Sequence, residues 1–155
     1  MEVQNGEGYG PADSESSSGY SVGVEAVAVG DLTGDGSPEA AVLLGCIPKL
    51  ANFSRREAQV FTDGAGGPQL LAKLVPPKLT TTRPGLPPQF TGSPFVIRSG
   101  QLVTGAVYWV DDDPHCCPSV HRVLTWQWTG SQFVASGACN ERDLERGNYN
   151  YLLRC

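Results

Sequence analysis

The stretch VGVEAVAVGDLTGDGSPEAAVLLGC, residues 22–46, sets two apolar runs on either side of an acidic loop that extends from Asp31 to Glu39. Both runs are rich in Val, Ala and Leu, and the loop carries Gly34, Gly36 and Pro38, residue types that let a chain turn sharply. The order strand, loop, strand follows, with an antiparallel hairpin as the organising element.

The loop has two readings. Oxygen-bearing side chains alternate at Asp31, Thr33 and Asp35, followed by a backbone carbonyl at Ser37 and a carboxylate at Glu39; these match the first, third, fifth, seventh and ninth ligand positions of a calcium loop, with Gly36 at the sixth. Thr33 replaces the usual Asp or Asn, and Val42 stands at the twelfth position, where such a loop supplies a Glu. Calcium would therefore be held weakly, near the ~10⁻⁴ to 10⁻³ M end of the range for such loops. In the other reading Asp31 and Asp35 are Asx-turn residues, their carboxylates bonded to nearby amides with no metal.

GDLTGDGSPEAAV resembles the acidic loop of FG-GAP repeats and, more closely, the GDxTGDGxxEAVV stretch of secreted actinobacterial proteins and lipoproteins, including the LppP/LprE-type lipoproteins. The later segment DPHCCPSVHRVLTWQWTGSQF resembles the Cys-Cys-Pro motif and aromatic hairpin of proteins of that kind. The resemblance implies a secreted or surface-anchored domain, the anchored form carrying its lipid ahead of residue 1. FG-GAP propellers need tandem copies, and a single acidic loop implies none.

A length of 155 residues suits one domain with a sizeable core. Nineteen Gly and twelve Pro against one Met, with 17% charged residues, point to many turns and few long helices. The net charge of −5 disfavours nucleic acid and anionic membrane surfaces as partners; Arg55-Arg56 is the densest basic cluster. No stretch approaches the ~20 apolar residues of a membrane-spanning helix. Residues 1–19, polar and rich in Gly and Ser, read as a flexible spacer ahead of a single β-rich domain over 20–155.

The five cysteines, Cys46, Cys116, Cys117, Cys139 and Cys155, contain no CxxC pair and read as a disulfide framework formed in an oxidising compartment. The preferred pairing joins Cys46 to Cys116 or Cys117, and Cys139 to Cys155. A bridge between the adjacent Cys116 and Cys117 is the strained alternative. The run DDDPHCCPS, with Asp111, Asp112, Asp113 and His115, does not suit a zinc site, because successive residues of an extended chain point to opposite faces. If Cys46 is bridged there, its aspartates would approach the Asp31 loop.

Three further hairpins are predicted. EAQVFTD and QLLAKLV flank a turn at 64–68, PFVIRSGQLVTGAVYWV turns at Ser99-Gly100, and SVHRVLTWQWTGSQFVAS turns at Thr129-Gly130. Residues 47–56 read as a short helix or a connection. Pro76, Pro77, Pro84, Pro87, Pro88 and Pro94 make 76–94 a long loop, with the option of a polyproline-like ligand segment. Alternation places Val120, Arg122, Leu124, Trp126 and Trp128 on one face, a core face in the simpler reading. Trp126 and Trp128 on an open face would instead form a platform for sugars or other flat ligands. The tail 139–155 reads as a short helical turn and an aromatic strand tied down by Cys155, unless that thiol bonds a second subunit.

The expectation is an all-β antiparallel hairpin meander, closed as a sandwich or a strongly curved barrel-like sheet and stapled by disulfides. Only His115 and His121 are present, with no nucleophile elbow and no phosphate loop, so catalysis is disfavoured. The expected function is a secreted or cell-surface binding or structural domain with an extracellular protein or glycan partner and calcium at the loop. A subunit joined to its neighbours by strand addition, or a cell-wall glycan-binding protein or hydrolase, are the alternatives.

Overall fold

The computed structural model describes residues 3–4, 7–10, 19–48, 54–79, 81–110 and 112–140. Asp111, Cys155 and the tail 141–155 lie outside them, and the side chain of Cys139 is likewise not described. The chain is all-β. Its strands are β1 (Val3–Gln4), β2 (Glu7–Gly10), β3 (Tyr20–Gly30), β4 (Glu39–Pro48), β5 (Arg55–Gly64), β6 (Gly67–Leu74), β7 (Gln89–Arg98), β8 (Gln101–Tyr108), β9 (Val120–Trp128) and β10 (Phe133–Asn140). They form two antiparallel sheets, β1-β2-β3-β4-β5-β6 and β10-β9-β8-β7, and neither closes into a barrel. Among the described residues no helix is long and apolar enough to cross a membrane.

Each predicted hairpin is present, because each joins two alternating runs through residues suited to a turn. Gly34 and Gly36 take φ of 79° and 89° in the first loop, values that glycine adopts without a Cβ clash. Strand β4 shows the alternation most plainly: Glu39, Ala41, Leu43 and Gly45 are buried, while Ala40, Val42, Leu44 and Cys46 are half-buried on the other face. Part of the N-terminal stretch read as a spacer is strand instead, with Glu7–Gly10 pairing with Tyr20–Gly23. Pairing of this kind joins backbone to backbone, so a polar segment with little to bury still extends the sheet edge.

One core joins the sheets. Ala41, Leu43, Ala58, Val60 and Leu74 come from the first, and Phe90, Phe95, Leu102, Ala106, Tyr108, Leu124 and Trp126 from the second. Trp126 is 3% exposed, packs against Phe90 at 6.0 Å between ring centroids, and donates its indole N–H to the Thr104 hydroxyl at 3.0 Å. That bond satisfies two polar groups inside the core, which would otherwise cost stability unpaired.

Strand β8 is buried on both faces from Leu102 to Ala106. Its outer face is covered at Gly105 by the bulged part of β7, where the register shifts between Phe90 and Phe95 and the Ser93–Pro94 peptide is cis. Pro94 is tolerated within β7 because the strand lies at the sheet edge and is bulged there.

Candidate functional site

The acidic loop and the cysteine loop lie at opposite ends of the molecule. Asp31 sits beside the β7–β8 turn, where a Cβ on Gly100 would come within 3.5 Å of its carbonyl oxygen. From that turn β8 runs to Tyr108, roughly 23 Å at the usual rise per residue, before the 109–119 loop begins. Asp112 and Asp113 therefore do not approach Asp31, and the bridge from Cys46 on which that approach depended is not formed.

Within the acidic loop the carboxylates are engaged by the loop's own amides. Asp31 accepts from Gly34 N at 2.6 Å through one oxygen and from Gly36 N at 3.1 Å through the other, and Asp35 accepts from Ser37 N at 2.7 Å. Glu39 is fully buried, on the inward parity of β4, and accepts from Leu32 N at 2.8 Å and Thr33 N at 3.0 Å. The Thr33 hydroxyl donates to the other Glu39 oxygen at 3.4 Å, so this side chain also faces Glu39. Ser37 enters through its amide. Among the described residues no three His, Cys, Asp or Glu side chains stand close enough together to hold a metal ion. The donor set predicted for calcium divides in its contacts: the Asp31 and Asp35 carboxylates are taken up by amides of the exposed turn, while the buried Glu39 carboxyl is taken up by the Leu32 and Thr33 amides.

The cysteines differ from the preferred pairing. Cys116 is joined to Cys117, and Cys46 is a free thiol. Cys46 lies opposite Arg55 and Val22 in the strand register, while the 114–117 turn, with Cys117 N on Pro114 O at 3.0 Å, folds the two adjacent cysteines together. Trp126 is a core residue, as the simpler reading of the alternation has it, and Trp128, which the alternative would place on an open platform, is half-buried against Phe133 at 4.9 Å between ring centroids.

A groove forms instead at the cysteine end. Two clefts of about 360 and 630 Å³ share Arg55, Arg56, Pro87 and Gln89. The smaller adds Cys46, Leu74, Val75 and Pro76; the larger adds Leu86, Val107, Trp109, His115 and Cys116. Arg56 pairs with Glu25 at 2.5 Å, and Glu57 with Lys73 at 3.0 Å. Arg55 is exposed and has no ion-pair partner among the described residues.

The far wall of the groove is stitched in place. Arg83 N donates to Trp109 O at 2.8 Å, the Arg83 guanidinium donates to Asp113 O, and the Trp109 indole donates to His115 O at 3.1 Å. Asp113 closes its own loop by accepting from Val110 N at 2.9 Å, Ser119 N at 2.9 Å and Ser119 Oγ at 2.8 Å. The Val110 and Ser119 amides hold its carboxyl below the ordinary carboxylate value. A lowered folded pKa means that this contribution is in place above the unfolded value, about pH 4, and is lost as pH falls through the folded one. The Trp109 indole resonance is expected to shift as wild-type protein is acidified below about pH 4, and to lose that acid transition in Asp113→Asn, as followed by ¹H–¹⁵N NMR.

Near the same end, burial raises the Tyr108 phenol above its ordinary value, against the pull of Arg122, whose guanidinium lies 5.9 Å from the ring centre. Sequence reasoning noted Arg55-Arg56 only as the densest basic cluster and the prolines of 76–94 only as a loop or polyproline-like segment, and missed Gln89 and Trp109. Comparison with protein-family models, with curated proteins and with solved structures gave no match.

Proposed function

We propose that this chain is a secreted or cell-surface binding domain, non-catalytic, whose ligand site is the groove along Arg55, Gln89 and Trp109. The observation that carries the reading is the pair of contiguous clefts with an exposed, unpaired Arg55 between apolar walls. Pockets of a few hundred cubic ångströms with a few convergent polar groups are the usual form of a ligand site. Among the described lining residues the acid is Glu57, and it is engaged by Lys73, which suits recognition better than acid–base work. The Cys116–Cys117 bond supports an oxidising, extracytoplasmic compartment.

Under this reading the Asp31–Glu39 loop is a structural clasp closed by its own amides, with no requirement for calcium. Thermal melts in EDTA and in millimolar calcium are expected to superimpose. A rise of several degrees with calcium would return the loop to the list of ion sites. The groove itself is tested by Val75→Asp, which places a charge on a side chain 73% exposed at the groove's edge. It is expected to leave the melt unchanged and to weaken any ligand that occupies the smaller cleft.

A further inference from the structure

We infer that the groove recognises an extended protein segment bearing a single acidic residue between apolar ones. This rests on the groove being the binding site. Three features select that chemistry. The first is the available charge: Arg56 is committed to Glu25, so among the described lining residues Arg55 is the arginine that offers an unpaired guanidinium between the two clefts. A guanidinium reads a carboxylate as a bidentate pair.

The second is the nature of the walls. Leu74, Val75 and Pro76 line one side of the arginines, and Leu86, Val107 and Trp109 the other. A ligand that fits has apolar groups on both sides of its acid. A polyanion such as a sulfated glycan would find, among the described lining residues, one arginine outside an ion pair where it needs a row of cations, on a chain whose net charge is −5.

The third is rigidity. The wall formed by Trp109 and the 109–119 loop is held by the Arg83 and Asp113 bonds, so little ordering opposes a ligand that lies against it. The Trp109 indole N–H is already engaged by His115 O, which leaves the ring's apolar surface as its contribution to the cleft.

The test is selection from a random heptapeptide phage library on the intact chain, followed by fluorescence anisotropy with the selected peptide. The expected peptides carry one Asp or Glu flanked by apolar residues. Arg55→Glu is expected to weaken the selected peptide about tenfold or more, and exchange of the peptide's acid for Lys to restore part of the loss on that variant. The Trp109 indole NMR resonance should move on binding while that of Trp126, closed in the core, stays in place. Selected peptides without an acid, or binding indifferent to Arg55→Glu, overturn the inference. Fluorescein-labelled heparin binding in an Arg55-dependent manner, with no peptide selected, overturns the ligand class and leaves the groove as a site. If neither the selected peptide nor heparin is affected by Arg55→Glu or Val75→Asp, both the ligand class and the groove fall together.

Discussion

Gly105→Ala is expected to cost about 3 kcal/mol and to lower the melting temperature by roughly 10 °C at this chain length. A Cβ at this position would overlap the Thr91 hydroxyl and come within 2.7 Å of Ser93 O and 3.2 Å of Pro94 Cδ. A clash with the far end of a long side chain is relieved by a rotamer change. Here one obstacle is a backbone carbonyl and another is a proline ring, so relief requires that the β7 bulge lift off β8. Gly105 lies midway along β8, which is paired with β7 on one side and β9 on the other. Displacement would therefore loosen the strand that carries Leu102, Thr104 and Ala106 into the core. Gly92→Ala is the matched control. It stands in the bulge itself, with nothing within 4 Å of the added methyl, and is expected to change stability by less than about 0.5 kcal/mol. Chemical denaturation of the two variants side by side distinguishes close packing at Gly105 from a general sensitivity of the bulge.

The all-β class and the hairpins were legible because they are written locally. Val and Leu at alternate positions and glycines at the turns specify a strand pair without reference to the rest of the chain. Elements whose position depends on distant partners were not legible. The groove draws Cys46 and Arg55 from neighbouring strands, Pro87 and Gln89 from the approach to β7, and Trp109 and His115 from beyond β8. No local pattern connects residues so far apart; cross-strand register does.

The pairing of Cys46 failed for a related reason. Sequence distance favoured a long bridge from Cys46, whereas a turn at Pro114 brings the two adjacent sulfurs together. The short strand Glu7–Gly10 shows the opposite limit, since main-chain pairing at a sheet edge leaves almost no signature in side-chain composition. Glu39 was within reach of the sequence. It has the same parity as Ala41 and Leu43, so the alternation that places those residues in the core buries its side chain too.

Glu39→Leu is accordingly expected to destabilise the protein by about 3 kcal/mol or more, although the loop it serves is at the surface. Leucine is close in size and apolar, so the core side of the position tolerates it. The cost lies in the amides of Leu32 and Thr33, which donate to Glu39 at 2.8 and 3.0 Å and would be left without an acceptor. A buried donor without a partner costs about 1 to 3 kcal/mol. Leu32 is itself 3% exposed and belongs to the core, so its amide cannot turn to water without withdrawing its side chain. Glu39→Gln separates this mechanism from ion binding. Its amide oxygen can accept from both backbone donors while its nitrogen donates to the Thr33 hydroxyl, and the expected cost is only about 1 kcal/mol, the difference between a charge-assisted bond and a neutral one. A clasp held by amides therefore predicts a large loss for Leu and a small one for Gln, equal in EDTA and in calcium. A calcium ligand predicts that the penalty for Gln appears in calcium and vanishes in EDTA, and denaturation of the two variants under both conditions decides between them.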